Sequence, residues 1–162
     1  MATTNLDHAH GGGTAAPAPD FRSLRWRAGN AIVTVFARAG IGPIQLLTTR
    51  GRKTGRPNTV PVVPVAHDGR KWLVAPYGAV SWVQNARAEG TVNLRYGRAT
   101  RQYAIREAPA HEAGAVLKRY VAVATKTRAH FQATKDSPVE DFVAEADRYP
   151  VLELMPLNGE SP

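Results

Sequence analysis

Residues 45–66 read QLLTTRGRKTGRPNTVPVVPVA, and this stretch decides the class of fold. Its apolar and β-branched runs predict one strand over residues 45–49 and a second over residues 59–66. Between them, residues 50–57 combine glycines with basic side chains, which is typical of a turn. Pro61 and Pro64 cannot donate a ladder hydrogen bond, so the second strand must lie at a sheet edge or contain a bulge.

Short strands continue after this stretch. His67-Asp68-Gly69-Arg70 predicts a tight hairpin turn, because Asp-Gly supports the positive φ angles that such turns require. Short strands linked by hairpins favour an antiparallel β-barrel with helices packed outside it. The elements predicted next are a strand over residues 71–75, a short helix over 81–88, and a hairpin of strands 91–96 and 101–106.

The last third of the chain is predicted to be mainly helical. Apolar side chains recur at helical spacing from Pro109 to about Ala133. Residues 137–140 resemble a capping box, which predicts a second helix through Ala146. A final strand is predicted over residues 151–154 from their alternating polarity. Together with the strands, this predicts an α+β, mainly β, fold.

The N-terminal residues divide into a tail and a candidate helix. Residues 1–20 have a glycine run and little to bury, so we expect a disordered tail followed by one domain over residues 21–162. The tail lacks the features of a secretory signal, and the chain has no apolar run of about 20 residues, which predicts a cytoplasmic protein. Residues 23–39 show helical spacing. A helix packed on the sheet is favoured, and membrane contact through residues 22–39 is the alternative.

Positive charge is concentrated in the first half of the chain. The formal net charge is +8, and no acidic residue occurs between Phe21 and His67. We therefore expect an anionic partner. Aromatic residues are 7% of the chain and none lies between Phe36 and Trp72, which disfavours nucleic-acid binding by base stacking. The eight basic residues of the acid-free span are Arg22, Arg25, Arg27, Arg38, Arg50, Arg52, Lys53 and Arg56.

The turn over residues 50–57 is the segment best suited to bind an anion. Its glycines let the backbone approach a ligand, while Arg52, Lys53 and Thr54 supply hydrogen-bond donors. A basic turn without a ligand fits the same residues. The chain has no cysteine, and its sequence shows no metal-ligand cluster and no nucleophile motif. A bound cofactor must therefore supply any difficult chemistry.

Two ordered blocks of the sequence resemble the deazaflavin-dependent nitroreductase family of actinobacteria. The first block is residues 46–57 with residues 60–62, which is similar to the family's T-T-x-G-R-K-[ST]-G-x-P turn and the proline-bearing strand after it. The second is residues 72–78 and 82–88, similar to a V-A strand end, a glycine-bearing loop and W-x-x-N-[LA]-[RK]-A. The resemblance covers about residues 45–106 and is weaker in the C-terminal helices.

The resemblance implies a split β-barrel (FMN-binding split-barrel-like) with flanking helices. It also implies an oxidoreductase that uses coenzyme F-420, an 8-hydroxy-5-deazaflavin with a phosphate and an oligoglutamate tail. Hydride would pass to an unsaturated or nitro small molecule. The implied cofactor contacts are Arg52, Lys53, Thr54 and Gly55 at the phosphate and tail, Pro61 and Val62 beside the ring, Ala75, Pro76, Tyr77 and Gly78 at the ring edge, and Trp82 and Asn85 on the phosphate side.

The chain departs from the family pattern in the loop after Ala75, which reads PYGAVS where well-studied members carry a lysine. Tyr77, beside the expected ring edge, is the candidate proton donor, and a packing role at the barrel rim is its alternative. Tyr120 and His130 are candidate substrate contacts.

Three alternative functions remain open from the sequence. One is a split-barrel enzyme that uses FMN or FAD. Another is a non-catalytic binder of deazaflavin or of another hydrophobic anion. The third is a basic module that binds a membrane or nucleic acid. A homodimer is one expectation for the assembly.

Overall fold

Seven antiparallel strands form the framework in the computed structural model, which describes residues 39–40 and 42–157. The strands are β1 (Gln45–Arg50), β2 (Pro57–Val62), β3 (Val65–His67), β4 (Arg70–Val74), β5 (Thr91–Tyr96), β6 (Ala99–Glu107) and β7 (Val151–Pro156). The helices are α1 (Ser81–Glu89), α2 (Ala110–Val123) and α3 (Val139–Glu145), with 3-10 turns at Arg128–His130 and Ala146–Arg148. The predictions for the tail and for residues 22–38 lie outside the described residues.

The sheet curls so that its two edge strands approach each other at one corner, and the gap between these edges is called the split. Its strand order is β2-β1-β5-β6-β7-β4-β3, so β2 and β3 are the two edge strands. Yet only Val63 and Pro64 separate them in the chain, and such a link reaches about 11 Å at most. The edges must therefore approach each other at this corner. The result is a curled, seven-stranded half-barrel, and the predicted split β-barrel with flanking helices is confirmed.

The predicted second strand over residues 59–66 was wrong in one respect. It consists of two strands, β2 and β3, with a break at Val63 and Pro64. Pro61 lies within β2, which pairs with β1 alone, and Pro64 lies in the break. At both positions the missing N–H of proline costs the sheet no ladder hydrogen bond, as expected for proline at an edge or an interruption.

The predicted hairpins are confirmed. Asp68 and Gly69 have φ angles of 50° and 68°, which lets a two-residue turn join β3 to β4. Strands β5 and β6 pair from Thr91–Ala104 to Tyr96–Ala99 around the turn at Gly97.

Successive side chains of β4 point to opposite faces of the sheet and therefore pack in two different cores. Trp72 and Val74 pack with α2 and α3, while Leu73 packs inside the curled sheet with α1.

Two helix predictions in the last third need correction. The helix expected to reach about Ala133 ends at Val123, where the Tyr120 and Thr127 hydroxyls lie 2.9 Å apart across the following turn. The capping box is absent, since α3 begins after Pro138 with no side-chain cap. Ser137 instead accepts a hydrogen bond from the Thr134 backbone N–H at 3.0 Å. The predicted strand over residues 151–154 is confirmed as part of β7.

Candidate functional site

The turn between β1 and β2 has a closed backbone geometry that depends on its glycines. The Gly51 N–H donates to the Arg56 carbonyl at 2.8 Å, and the Gly55 N–H donates to the Gly51 carbonyl at 2.7 Å. A Cβ atom on Gly51 would lie 2.9 Å from the Arg56 carbonyl oxygen, and Gly55 has a φ angle of 68°. Both positions therefore require glycine.

Asn85 ties this turn to helix α1. Its Oδ1 accepts the Arg52 backbone N–H at 3.2 Å and an Arg52 guanidinium N–H at 3.0 Å. Its Nδ2 donates to the Thr49 hydroxyl at 3.4 Å, and the side chain is only 5% exposed. The amide of Asn85 is thus occupied by the protein itself, so its part in an anion site is to position Arg52.

The turn presents positive charge without a neutralising carboxylate. Arg50, Arg52, Lys53 and Arg56 are all exposed. No ion pair within the described residues involves any of them. Two of the ion-paired carboxylates have their partners away from the turn: Glu107 pairs with Arg87, and Glu112 pairs with Arg70 and Arg106. The uncompensated cations and the exposed Thr54 hydroxyl make the turn suitable for a phosphate or carboxylate ligand.

The loop after β4 begins close to the corner between β2 and β3, because β4 pairs with β3 at Trp72 and Val65 shortly before the loop starts. The Ala75 N–H donates to the Pro150 carbonyl at 2.9 Å, and the Gly78 N–H donates to the Ala75 carbonyl at 3.1 Å. Those two amides are therefore engaged within the protein and are not donors for a ligand. Gly78 has a φ angle of 79°, and a Cβ there would lie 3.4 Å from the Arg148 carbonyl oxygen.

Partly buried apolar side chains lie on β2 and at the end of the loop before α1. Val60, Val62 and Val80 are partly buried and pack on the inner core, while Pro61 is half-buried on β2. Trp82 is 7% exposed and packs into the same core, three residues before Asn85 on α1. The fold therefore sets an apolar wall at the split and a cationic turn at the end of the same edge strand.

The three other residues singled out from the sequence belong to two sets of ring contacts, which are joined through the consecutive residues His130 and Phe131. The five residues of these two sets are called the aromatic cluster. Tyr77 and His130 make an edge-to-face contact, with ring centroids 4.8 Å apart and planes at 81°. The ring centroid of Tyr120 lies 5.9 Å from that of Phe131, and the Phe131 centroid lies 4.3 Å from that of Tyr149. Tyr77 and His130 are half-buried, whereas the other three members are buried.

Burial affects the phenol groups of both tyrosines. The Thr127 hydroxyl donates to the Ala124 carbonyl at 3.3 Å, so Tyr120 must be the donor in its 2.9 Å bond with Thr127. Burial raises the pKa of Tyr120 to about 12. Burial also raises the pKa of Tyr77 above its ordinary value. Both phenols are therefore protonated near neutral pH, and the proton of Tyr120 is shared with Thr127.

Sequence reasoning did not single out several residues that build this region. Thr49 completes the Asn85 network, and Phe131, Glu145 and Tyr149 hold the loop that carries His130. Thr49 stands next to the basic turn, so its position was a usable signal. The others lie more than 70 residues after the turn in sequence, and nothing local marks them.

Comparison with known proteins gives both a family and a fold. The family model described as F420H(2)-dependent quinone reductase matches residues 12–145. A solved structure described as "F420-H2 Dependent Reductase (FDR-A)" is 26% identical, with 69% of this chain and 93% of that chain covered and a TM-score of 0.49.

Two further structures share the fold. The protein Atu2129 of unknown function, from Agrobacterium tumefaciens, is 14% identical, with 86% of this chain and 57% of that chain covered and a TM-score of 0.52. A structure described as a domain-swapped dimer is 24% identical, with 81% and 96% covered and a TM-score of 0.50.

Proposed function

This chain belongs to the F420H(2)-dependent quinone reductase family, and on that premise we propose that it reduces a quinone by hydride transfer from reduced coenzyme F-420. Dependence on F-420 is a property of the family, so F-420 is the cofactor, ahead of the FMN or FAD alternative. The quinone acceptor is the finer part of the proposal, and it comes from the family's description.

The observation that carries the proposal is the cationic turn held on α1. F-420 has a phosphate and a run of carboxylates, which need several cations and few nearby acids. Arg52 and Lys53 would bind this anionic end together with the Thr54 hydroxyl and the backbone at Gly55. Because Asn85 holds Arg52 in place at 3.0 Å, one of these cations is already oriented before a ligand arrives.

Apolar residues at the split would hold the deazaflavin ring. Pro61 and Val62 lie on the edge strand, and Ala75 to Gly78 form the loop beside it. When bound, reduced F-420 supplies a hydride from C5 of its ring. These protein groups orient the ring and exclude water from one face of it, which favours transfer to an aligned acceptor.

Tyr77 would supply the proton that the acceptor needs. Reduction of a quinone to a hydroquinone takes up one hydride and one proton. Tyr77 would hold that proton on its phenol oxygen, transfer it to the acceptor oxygen and regain one from water. Burial raises the pKa of this phenol, so the protonated form persists at neutral pH. Tyr120 and His130 would line the acceptor side of Tyr77, close to its ring.

A titration followed by a turnover assay tests this function. F-420, FMN and FAD are titrated separately while tryptophan fluorescence is followed, and reduced F-420 is then mixed with a soluble naphthoquinone or with a nitroaromatic compound. We expect the tightest binding for F-420 and faster oxidation with the quinone. Preference for a nitroaromatic would assign the acceptor class expected from the resemblance. Binding of F-420 without oxidation by either acceptor would favour a non-catalytic binder.

Assembly and location remain predictions. None of the helices in residues 39–40 and 42–157 is long and apolar enough to span a bilayer. Light scattering of the purified protein tests the homodimer. Sedimentation with anionic vesicles tests the membrane contact proposed for residues 22–39.

A further inference from the structure

The loop over residues 131–134 is attached to the end of helix α3 by a buried carboxylate. Glu145 is 4% exposed, and its two oxygens accept the backbone N–H groups of Gln132 and Ala133, each at 3.1 Å. A buried charge is costly unless hydrogen bonds compensate for it, and two amide donors on consecutive residues do so. Glu145 therefore fixes the direction of the loop backbone immediately after His130.

Tyr149 makes a second attachment to the same loop. Its hydroxyl donates to the backbone carbonyl of His130. Its ring also packs on Phe131, with centroids 4.3 Å apart. His130 is therefore held through its own carbonyl and through the buried side chain of the next residue.

The helix that ends at Glu145 has little freedom to shift. Helix α3 approaches α2 closely at Gly114, where an added Cβ would lie 3.1 Å from the Val143 backbone nitrogen and 3.3 Å from the Val139 carbonyl oxygen. Only glycine allows this approach, so α3 packs directly against α2, the helix that contains Tyr120.

The contact between His130 and Tyr77 is the half-buried part of the aromatic cluster. The other three aromatic residues of the cluster are buried, so His130 and Tyr77 form its accessible part within the described residues. An acceptor in contact with Tyr77 would also lie within reach of His130. The position of the His130 ring is then part of the acceptor site.

We propose that Glu145 and Tyr149 are positioning residues, which hold residues 130–133 so that His130 stays against Tyr77 and completes one wall of the acceptor site. This proposal rests on the proposed function only in naming the site as the one that binds the acceptor. The positioning itself concerns only this chain's residues and can be measured without turnover.

The first test is spectroscopic and uses the full-length protein without ligand. The His130 ring resonances, assigned by comparison with His130→Asn, report the ring current of Tyr77, and Tyr77→Leu supplies their values without that ring. We expect Glu145→Gln and Tyr149→Phe to move these resonances toward the Tyr77→Leu values. Glu140→Gln, an exposed carboxylate on the same helix, is the matched control and should leave them unchanged. Unchanged resonances in both test variants would overturn the proposal.

The second test separates positioning from a general loss of structure. In the Glu145→Gln and Tyr149→Phe proteins we expect KM for the quinone to rise about fivefold or more, while Kd for F-420 stays within about twofold of wild type. An equal change in both constants would contradict a role in the acceptor site. Tyr149→Phe removes one hydroxyl and keeps the ring, so it remains informative if Glu145→Gln does not fold.

The two proposals can fail separately. If wild-type protein binds no F-420, the proposed function is wrong, while the resonance experiment still decides whether Glu145 and Tyr149 position His130. If F-420 binds and the quinone is reduced but the variants match wild type in both tests, only the positioning roles are wrong.

Discussion

Asn85 accepts both the backbone N–H and a guanidinium N–H of Arg52 on a single Oδ1 atom, at 3.2 and 3.0 Å. The two residues are 33 positions apart in sequence, and their contact joins the cationic turn to helix α1. The amide also donates to Thr49, so one buried side chain links a strand, a turn and a helix. This link places a cation at the end of β1 before any ligand binds.

Replacing Asn85 with alanine should affect both stability and cofactor binding. The change removes the acceptor of two Arg52 donors and one partner of the buried Thr49 hydroxyl, and because the exposed Arg52 can turn to water instead, we expect a loss of about 0.5–1.5 kcal/mol of unfolding free energy. We expect a several-fold rise in Kd for F-420, because Arg52 is no longer oriented. Urea unfolding and fluorescence titration measure the two effects. If Asn85→Ala adds its full effect to that of Arg52→Ala in the double variant, the two residues act independently.

Lys53→Ala should weaken F-420 binding without lowering stability. Lys53 is exposed and has no ion-pair partner within the described residues, so its loss leaves the free protein intact. A charge-assisted hydrogen bond to a bound ligand contributes about 1.5–3 kcal/mol, which corresponds to roughly tenfold or more in Kd. The control is Arg98→Ala, an exposed basic residue in the β5–β6 turn. Similar losses from both variants would indicate a general charge effect.

Binding of F-420 should depend strongly on salt. Exposed charges are largely screened beyond about 8 Å at physiological ionic strength, so the contribution of the cationic turn falls as salt is added. A deazaflavin that lacks the phosphate and glutamates should respond much less, because apolar packing at Pro61 and Val62 is insensitive to screening. Kd for each ligand at low and high salt checks this. Equal responses would assign the basic residues to another partner.

Tyr77→Phe should lower kcat for quinone reduction and leave Kd for F-420 nearly unchanged. The substitution removes only the phenolic hydroxyl that we propose as proton donor, and general acids contribute about 100-fold or more. Burial raises the pKa of Tyr77, so wild-type activity should persist as pH rises through 10 and be lost only at the raised value. A Tyr77→Phe enzyme with wild-type kcat would remove Tyr77 from the mechanism.

The raised pKa of Tyr120 should lower the unfolding free energy of the protein at alkaline pH. Its pKa is about 12 in the folded protein, against an ordinary value of 10.0, so between these values the unfolded chain releases a proton that the folded chain keeps. The unfolding free energy therefore falls as pH rises through this window, by at most about 1.4 kcal/mol per pH unit for this group. Denaturant melts at pH 9, 10 and 11 should show a shallower fall for Tyr120→Phe than for wild type. Parallel curves would contradict the raised pKa.

Short-range features of the sequence were sufficient for most elements. Strand β1, the turn after it, the Asp68-Gly69 hairpin and helix α1 all follow from residue preferences and spacing over a few positions. The residues of the turn by themselves indicated only an anion-binding site, because such turns require glycines and cations at neighbouring positions. The cofactor class came from the resemblance of two ordered blocks of sequence to a known family. What the sequence determined by itself was therefore the local conformation, the charge of the turn and the family to which they belong.

Tertiary structure alone decided which distant residues meet. The break at Val63 and Pro64 follows from the curl that brings β2 and β3 together, and no local period encodes that curl. The Arg52–Asn85 bond, the Tyr77–His130 contact and the Glu145 attachment join residues 33, 53 and about 12 positions apart. Side-chain partners of this kind depend on how the sheet and helices pack. Periodicity indicates which face a residue occupies, but only the packed chain determines what lies opposite it.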